Sequence, residues 1–383
     1  MSQRSFHWFI ITPEYPPDPG GVSDYTRIVA EELARRGHEL EVWAPAPGVG
    51  AFRSTAAVRC HALPDRFGLA SMRALDAALQ RAPARTILLV QYVPSGFGAR
   101  SMNLPFALWL GRRRERRWVM VHEAAFPYGR SAPLRHQVLA TVTRAMLRAA
   151  LSGAERVFTS TPAWEPVIRC HGFARGPVEW LPVPAAVPAV FDTERVREIR
   201  REIGVELGQF VLGHFGSYGR LVADPLKAVI HCVAESHPEW AWLLLGRNAD
   251  RFASELAQVG CPPAVFARPD LSPEEVSNHI AALDMAVFPF PDGISARRTS
   301  AMAAFALGTP IVTTRGPSTE TFWARSDAVV LSDNDPNEVA RLTKELALDA
   351  DRRALLSERS CALYQERFDV GRLADVLTRS LEA

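Results

Sequence analysis

Two arginines side by side at a strand–loop–helix junction offer the most chemistry in this chain. They stand in the stretch VFPFPDGISARRTSAMAAFALGTPIVTTRG, Val287 to Gly316. Its pattern predicts a buried strand over Met285 to Phe290, a turn at Pro291-Asp292-Gly293, a helix, and a second buried strand over Pro310 to Thr314. Ser295 is the expected N-cap, and Gly308 with Pro310 the expected stop. On that reading Arg297 and Arg298 fall in the first turn, where the macrodipole disfavours cations by roughly 0.3–1 kcal/mol each. An anion shared by the helix amides and both guanidinium groups removes the conflict. Solvent removes it too, if both side chains point outward.

The elements that must position these residues alternate between strand and helix. Phe6 to Thr12 (FHWFIIT) reads as a buried parallel strand. It runs into PEYPPDPGG, whose Gly20 and Gly21 let a backbone approach a ligand closely. A helix stopped by Gly37 and a strand at Glu39 to Ala44 follow, so the chain opens as a βαβ unit. The full GxGxxG is absent, and no dinucleotide fingerprint is supported. Thr86 to Tyr92 and Trp118 to Val121 are further strands, with VPSGFGA after the first and His122-Glu123 after the second. His122 therefore stands where open α/β sheets place ligands, either to meet one or as a structural residue. The run Arg112 to Arg117 reads as a solvated helix end or an anion-facing surface. Leu134 to Leu151 is a long amphipathic helix, core-facing or lying on a membrane interface. Val178 to Pro188, rich in proline and alanine, reads as an interdomain linker.

The alternation restarts at Phe210 to Phe215. Gly216, Ser217, Tyr218 and Gly219 follow, then Arg220 and a helix from about Pro225 that puts Lys227 in its first turn. Trp240 to Leu245 is the next strand, with Gly246 at its end, and Ala264 to Ala267 a short one. Ser272-Pro273-Glu274-Glu275 opens a helix. Two such halves predict an α/β chain of two Rossmann-like domains facing a cleft lined by loops at strand ends.

Bulk composition narrows the class. At 383 residues two domains are expected, and 48% hydrophobic residues suffice for two cores. No apolar run reaches the ~18–20 residues of a membrane span, and the N-terminus does not read as a signal peptide. Cys60, Cys170, Cys232, Cys261 and Cys361 are scattered, which argues against disulfides or a metal site and suits a reducing compartment. Net charge is +2, yet residues 1–190 hold 23 Arg against 14 Asp and Glu. That basic half suits an anionic membrane surface or acceptor. No recognition motif accompanies the arginines, so nucleic acid is not an expected partner.

Several segments together resemble the GT-B glycosyltransferases, within them the large retaining family 4. They are ITPEYPPDPGGVSDYTRIVAEELARRGHELEVWAP at Ile11 to Pro45, VHE at 121–123, WLPVPAAVP in the linker and ALGTPIVTT at 306–314. ERFDVGRLADVL, near the end, looks like the tail helix that in this fold crosses back to the N-terminal domain. The resemblance implies an acceptor domain over 1–185, a nucleotide-sugar donor domain over 186–365, and a crossing helix over 366–383. It also implies a UDP- or GDP-linked donor, retention of configuration and no metal or cofactor requirement. The family pattern has two glutamates before the GTP-like segment, and here those places hold Ser295 and Ala303. The Arg and Lys that follow the first strand of the donor domain are displaced as well. A DGxxxRRxS pattern, matched by Asp292, Gly293, Arg297, Arg298 and Ser300, resembles instead the heterocyst-polysaccharide transferases.

With a diphosphate leaving group to neutralise, the residues suggest roles. Arg297 and Arg298, with the helix amides near Ser295, would hold the diphosphate, with Arg220 and Lys227 as further candidates. Gly20 and Gly21 would reach it through backbone N–H groups. Gly216, Ser217, Gly246 and Gly293 would line the donor loops. His122 would contact the sugar or acceptor, and Asp292 would orient sugar hydroxyls or the arginines. The acceptor would be a glycan, a lipid-linked or a small molecule, and the setting cytoplasmic, with peripheral contact at the inner membrane face through the Arg-rich half. Two other classes stay open: a non-catalytic scaffold or regulator of polysaccharide biosynthesis, for which the missing glutamates speak, and a nucleotide-sugar isomerase.

Overall fold

The computed structural model describes residues 5–52, 54–129, 133–170, 176–205, 209–258, 260, 264–379 and 381. Cys261 lies outside them. The other four cysteines are free thiols.

The chain divides into two compact units, residues 1–182 with 370–383 and residues 183–369. Unit 1 runs β1 (His7–Ile11), α1 (Gly21–Arg35), β2 (Glu39–Pro45), β3 (Val58–Leu63), α2 (Leu69–Leu79), β4 (Thr86–Tyr92), α3 (Leu104–Gly111), β5 (Arg116–Val121), α4 (Leu134–Leu151), β6 (Arg156–Thr159), α5 (Glu165–Cys170) and β7 (Val178–Trp180). Unit 2 runs α6 (Thr193–Glu202), β8 (Val211–Phe215), α7 (Arg220–Ala234), β9 (Ala241–Leu245), α8 (Ala249–Gln258), β10 (Val265–Arg268), α9 (Pro273–Ala281), β11 (Met285–Phe288), α10 (Thr299–Ala306), β12 (Ile311–Thr314), α11 (Trp323–Ser326), β13 (Val330–Ser332), α12 (Pro336–Leu348) and α13 (Ala350–Arg367). The last helix, α14 (Val370–Arg379), belongs to unit 1.

Each unit is a parallel sheet wound in both directions. In unit 1 the strand order is β3-β2-β1-β4-β5-β6-β7, and in unit 2 it is β10-β9-β8-β11-β12-β13. Parallel strands are covered on both faces, and this is why they read as unbroken apolar runs. Every residue of β1, β4 and β9 is buried. The order reverses between β1 and β4 in unit 1 and between β8 and β11 in unit 2. A crevice opens outside the carboxyl ends of strands at such a switch point, and ligands of doubly wound sheets bind there.

Three local expectations are corrected. Val178 to Trp180 is not linker but β7, paired with β6 from Val157↔Val178 to Thr159↔Trp180. The run Arg112 to Arg117 is not a solvated helix end, because α3 stops at Gly111 and Arg116 and Arg117 enter β5. Arg113 pairs with Asp76 and lies over the Trp109 ring, Arg116 pairs with Glu155, and Arg117 is fully buried. Only Arg112 and Arg114 of that run combine exposure with no carboxylate partner among the described residues. Lastly, α7 begins at Arg220, and Pro225 is carried inside it at the loss of one backbone hydrogen bond.

Helix α14 is held to unit 1 by its own apolar face and by two arginines. Leu373, Ala374 and Leu377 are buried, worth about 1.5–3 kcal/mol for each fully buried leucine. Arg36 donates to Asp375 Oδ1 and to the Gly371 carbonyl, both at 2.6 Å, and Arg156 donates to the Val376 carbonyl at 3.1 Å.

Candidate functional site

The switch point of unit 2 gathers most of the residues singled out by sequence. Gly216 follows β8 and Gly246 follows β9, and the two loops touch. A Cβ on Gly246 would lie 2.4 Å from the Gly216 carbonyl oxygen, and the residue sits at φ +100°. Both demands require glycine. A Cβ on Gly216 would stand 3.3 Å from His214 Nε2 and 4.0 Å from Ser300 Oγ, so this loop faces the start of α10. Ser217 is exposed in the same loop, and Arg220, also exposed, is the first residue of α7. Lys227 is not among them. It lies two turns into α7 and points to Glu255 at 3.9 Å, because the helix starts five residues before Pro225.

The loop from Pro291 to Arg298 is stitched to the loop after β12. Ile294 N–H donates to the Thr314 carbonyl and Ser318 N–H to the Asp292 carbonyl, each at 2.9 Å. Gly293, at φ +85°, fits where a Cβ would be 2.3 Å from Gly316 N. Ala296 N–H donates to the Glu320 carboxylate at 3.2 Å, and Trp323 Nε1 donates to the same group at 2.8 Å. This stitching overturns the expected cap. The helix α10 begins at Thr299, its N-cap residue is Arg298, and Ser295 lies outside it. The Ser295 side chain is 2% exposed, and its Oγ has no hydrogen-bond partner among the described residues. Gly308 does end the helix, at φ +68°, with Thr309 N–H donating back to the Ala304 carbonyl.

Arg298 is therefore a helix-entry residue held in place, not a first-turn cation. Its guanidinium pairs with Asp292 and lies over the Phe290 ring at 4.4 Å. Burial pulls its pKa down and Asp292 works against that, so the group stays a cation. Arg297 is exposed. Among the described residues no side chain caps α10 or α7, nor α4 or α11, whereas Asp192, Ser272, Asp335 and Asp349 cap α6, α9, α12 and α13. The starts of α7 and α10 stand at the carboxyl ends of β8 and β11, where an incoming anion meets first-turn amides.

His214, on β8, escaped the sequence reading because nothing local marks it. It is buried, Nδ1 bonds the Val287 carbonyl at 2.8 Å, and burial pushes its pKa down to about 4. Between pH 4 and the ordinary 6.5 the unfolded chain binds a proton that the folded chain refuses. Unit 2 is expected to lose ~3 kcal/mol as pH falls through that window. Urea titrations at pH 7 and pH 4.5 check this, and His214→Asn, which keeps a donor for Val287, should flatten the slope.

In unit 1 the switch-point loop after β1 serves its own chain. Glu14 Oε1 accepts from Val22 N–H at 3.0 Å and from Ser23 N–H at 3.1 Å, so an internal carboxylate occupies the start of α1. Gly20 has extended backbone that any residue adopts, but a Cβ there would lie 2.1 Å from Glu14 Oε1. The space beside Gly20 is held here by the Glu14 carboxylate. Gly21, by contrast, is exposed with open space around it. Gly20→Ala is expected to displace the carboxylate and cost ~1–2 kcal/mol. Glu14→Ala should cost about the same and the double variant no more than either, measured by thermal melts. His122 directly follows β5 and is 7% exposed. Its Nε2 is 2.8 Å from Gln91 Oε1, and its ring meets Tyr25 edge-on at 4.8 Å.

Among the described residues no group of three or more His, Cys, Asp or Glu is placed to hold a metal ion, and no helix is long and apolar enough to cross a membrane.

Arg297 and Arg298 thus stand near the switch point, where open α/β sheets bind their ligands. The family follows from the sequence matches: residues 20–203 match the Glycosyl transferase 4-like domain and residues 210–349 match Glycosyl transferases group 1. The chain belongs to these glycosyltransferases, with the GT-B fold. No curated protein matches it significantly by sequence. Solved structures match along its length. WaaG, a glycosyltransferase involved in lipopolysaccharide biosynthesis, is 15% identical at TM-score 0.70, over 97% of this chain and 98% of that one. Anabaena HepE, in complex with UDP and glucose, is 14% identical at TM-score 0.69, over 98% and 99%. Sucrose-phosphate synthase from Thermosynechococcus elongatus is 15% identical at TM-score 0.72, over 99% and 98%. At these identities the likeness speaks for the fold.

Proposed function

We propose that the enzyme transfers a hexose from a UDP- or GDP-linked sugar, and that unit 2 binds this donor at the β8–β11 switch point. The observation that carries the reading is the Arg298 guanidinium, fixed by Asp292 and Phe290 beside the uncapped start of α10. A donor diphosphate satisfies both the cation and the amides. Arg297 and Arg220 add charge at the rim, Gly216 and Gly246 leave room for the phosphates, and Ser217 and Ser300 offer hydroxyls. The leaving diphosphate is neutralised by these groups without a metal ion, and interactions that tighten as the glycosidic bond breaks speed the step.

Asp292 orients Arg298 and a sugar hydroxyl. His122, fixed by Gln91 and Tyr25, contacts the sugar or acceptor. The acceptor, a glycan, lipid-linked or small molecule, belongs to unit 1, and configuration is retained. We place the protein in the cytoplasm, with Arg112 and Arg114 available to an anionic membrane surface. The HepE structures with UDP, with UDP-glucose, and with UDP and glucose support the donor class, and the DGxxxRRxS pattern supports the subgroup.

Ser295 supplies the sharpest test. Leaving a buried hydroxyl unpaired costs the free protein about 1–3 kcal/mol. Ser295→Ala is therefore expected to keep or raise the melting temperature of the free enzyme while weakening donor affinity about tenfold. Thermal shift with UDP- and GDP-sugars reads both effects. A variant that loses stability and keeps full affinity rules out a ligand for this hydroxyl.

A further inference from the structure

A cavity of about 410 Å³ in unit 2 opens between α11 and α13. Its size falls in the ~300–1,000 Å³ range of small-molecule sites. Three arginines line it: Arg325 from α11, and Arg359 and Arg367 from α13. Three guanidinium groups around one space repel one another unless carboxylates balance them, and the balance here is poor. Arg359 meets Asp327 only at 3.4 Å, with that carboxylate 72% exposed. Arg367 meets its chain neighbour Glu366 at 3.4 Å, with that carboxylate 64% exposed. Exposed pairs of this kind contribute about 0–1 kcal/mol. No carboxylate pairs with Arg325 among the described residues. Arg367 lies 5.1 Å over the Phe322 ring, which fixes the direction of its fork.

We propose that this cavity binds a phosphorylated polar metabolite, independently of the donor reading. The guanidinium forks of Arg325 and Arg359 take the phosphate in bidentate fashion. Phe322 and Leu363 supply an apolar wall, and Glu366, also in the lining, takes the polyol part. The site also has a route to the donor loop. Phe322 lies two residues beyond Glu320, whose carboxylate holds Ala296 N–H.

The test is calorimetric titration of the full chain with glucose 6-phosphate, with unphosphorylated glucose as control. Wild type is expected to bind the phosphate ester at sub-millimolar concentration and to ignore glucose. Arg325→Gln/Arg359→Gln should bind it at least tenfold more weakly at an unchanged melting temperature, since both side chains are exposed. Arg298→Gln should bind it as wild type does. Absence of binding, equal binding by the double variant, or loss in Arg298→Gln instead would each overturn the proposal. The last outcome would assign the ester to the switch point.

Discussion

Arg298→Ala is expected to lower kcat/KM for the sugar donor about 100-fold. Each charge-assisted hydrogen bond to the diphosphate is worth ~1.5–3 kcal/mol, and each 1.36 kcal/mol is tenfold in rate. The loss has a second source. Asp292, now released from its partner, presents an uncompensated carboxylate to the incoming phosphates. Arg298→Lys restores the charge but neither the fork nor the stacking on Phe290, so it should recover only part of the activity. Asp292→Asn combined with Arg298→Ala should do less harm than the single losses added together. Steady-state kinetics on wild type, Arg298→Ala, Arg298→Lys, Asp292→Asn and the double variant, with melts to show that each is folded, separate these effects. Wild-type kinetics in Arg298→Ala would remove the residue from the site. Arg297, being exposed, should give a smaller effect that salt screens.

Arg117→Leu is the change expected to damage the fold most. The side chain is fully buried. Its guanidinium donates to the Leu110 carbonyl in the last turn of α3 and to the Ser152 carbonyl at the end of α4, with a longer reach of 3.4 Å to the Arg113 carbonyl. One cation thus satisfies the negative ends of two helices. Burial pulls its pKa down to about 10, which leaves it protonated at neutral pH. Leucine fills much of the space but leaves the carbonyls buried and unpaired. Each buried carbonyl left without its partner costs about 1–3 kcal/mol, and two are left here. The two units need not unfold together, so hydrogen exchange in β5 and α4 under increasing urea is the appropriate measure. A loss below ~1 kcal/mol would show that water replaces the guanidinium.

The alternating architecture was legible because parallel strands leave continuous apolar runs, as TILLVQY and WAWLLL do. Helix starts were legible where the cap is local, as at Ser272, whose Oγ accepts from Glu275 N–H at 3.2 Å. The cap of α10 was not. Ser295 has the right residue type, yet a neighbouring strand and the Glu320 carboxylate hold residues 294 and 296 and delay the helix to Thr299. Pattern placed Arg298 near the site, but its partners Asp292 and Phe290 are tertiary facts. At Gly20 the sequence showed a glycine beside a helix start but not the neighbour that lies against it, the chain's own Glu14. In Arg112 to Arg117 a charge run concealed the most buried cation of unit 1, because burial there depends on two helix ends distant in sequence.

The return of α14 to unit 1 sets an order of events during synthesis. All of unit 2 is made between Pro182 and Val370, before the helix that covers Arg36 and Arg156 exists. At ~5–20 residues per second that interval lasts on the order of 10–40 s on the ribosome. Throughout it, the nascent first unit presents the apolar seat of Leu373 and Leu377 uncovered, and by its end unit 2 has every residue it needs to fold. The earlier-made half is therefore finished last, and a chaperone guarding the nascent chain would have that seat to cover.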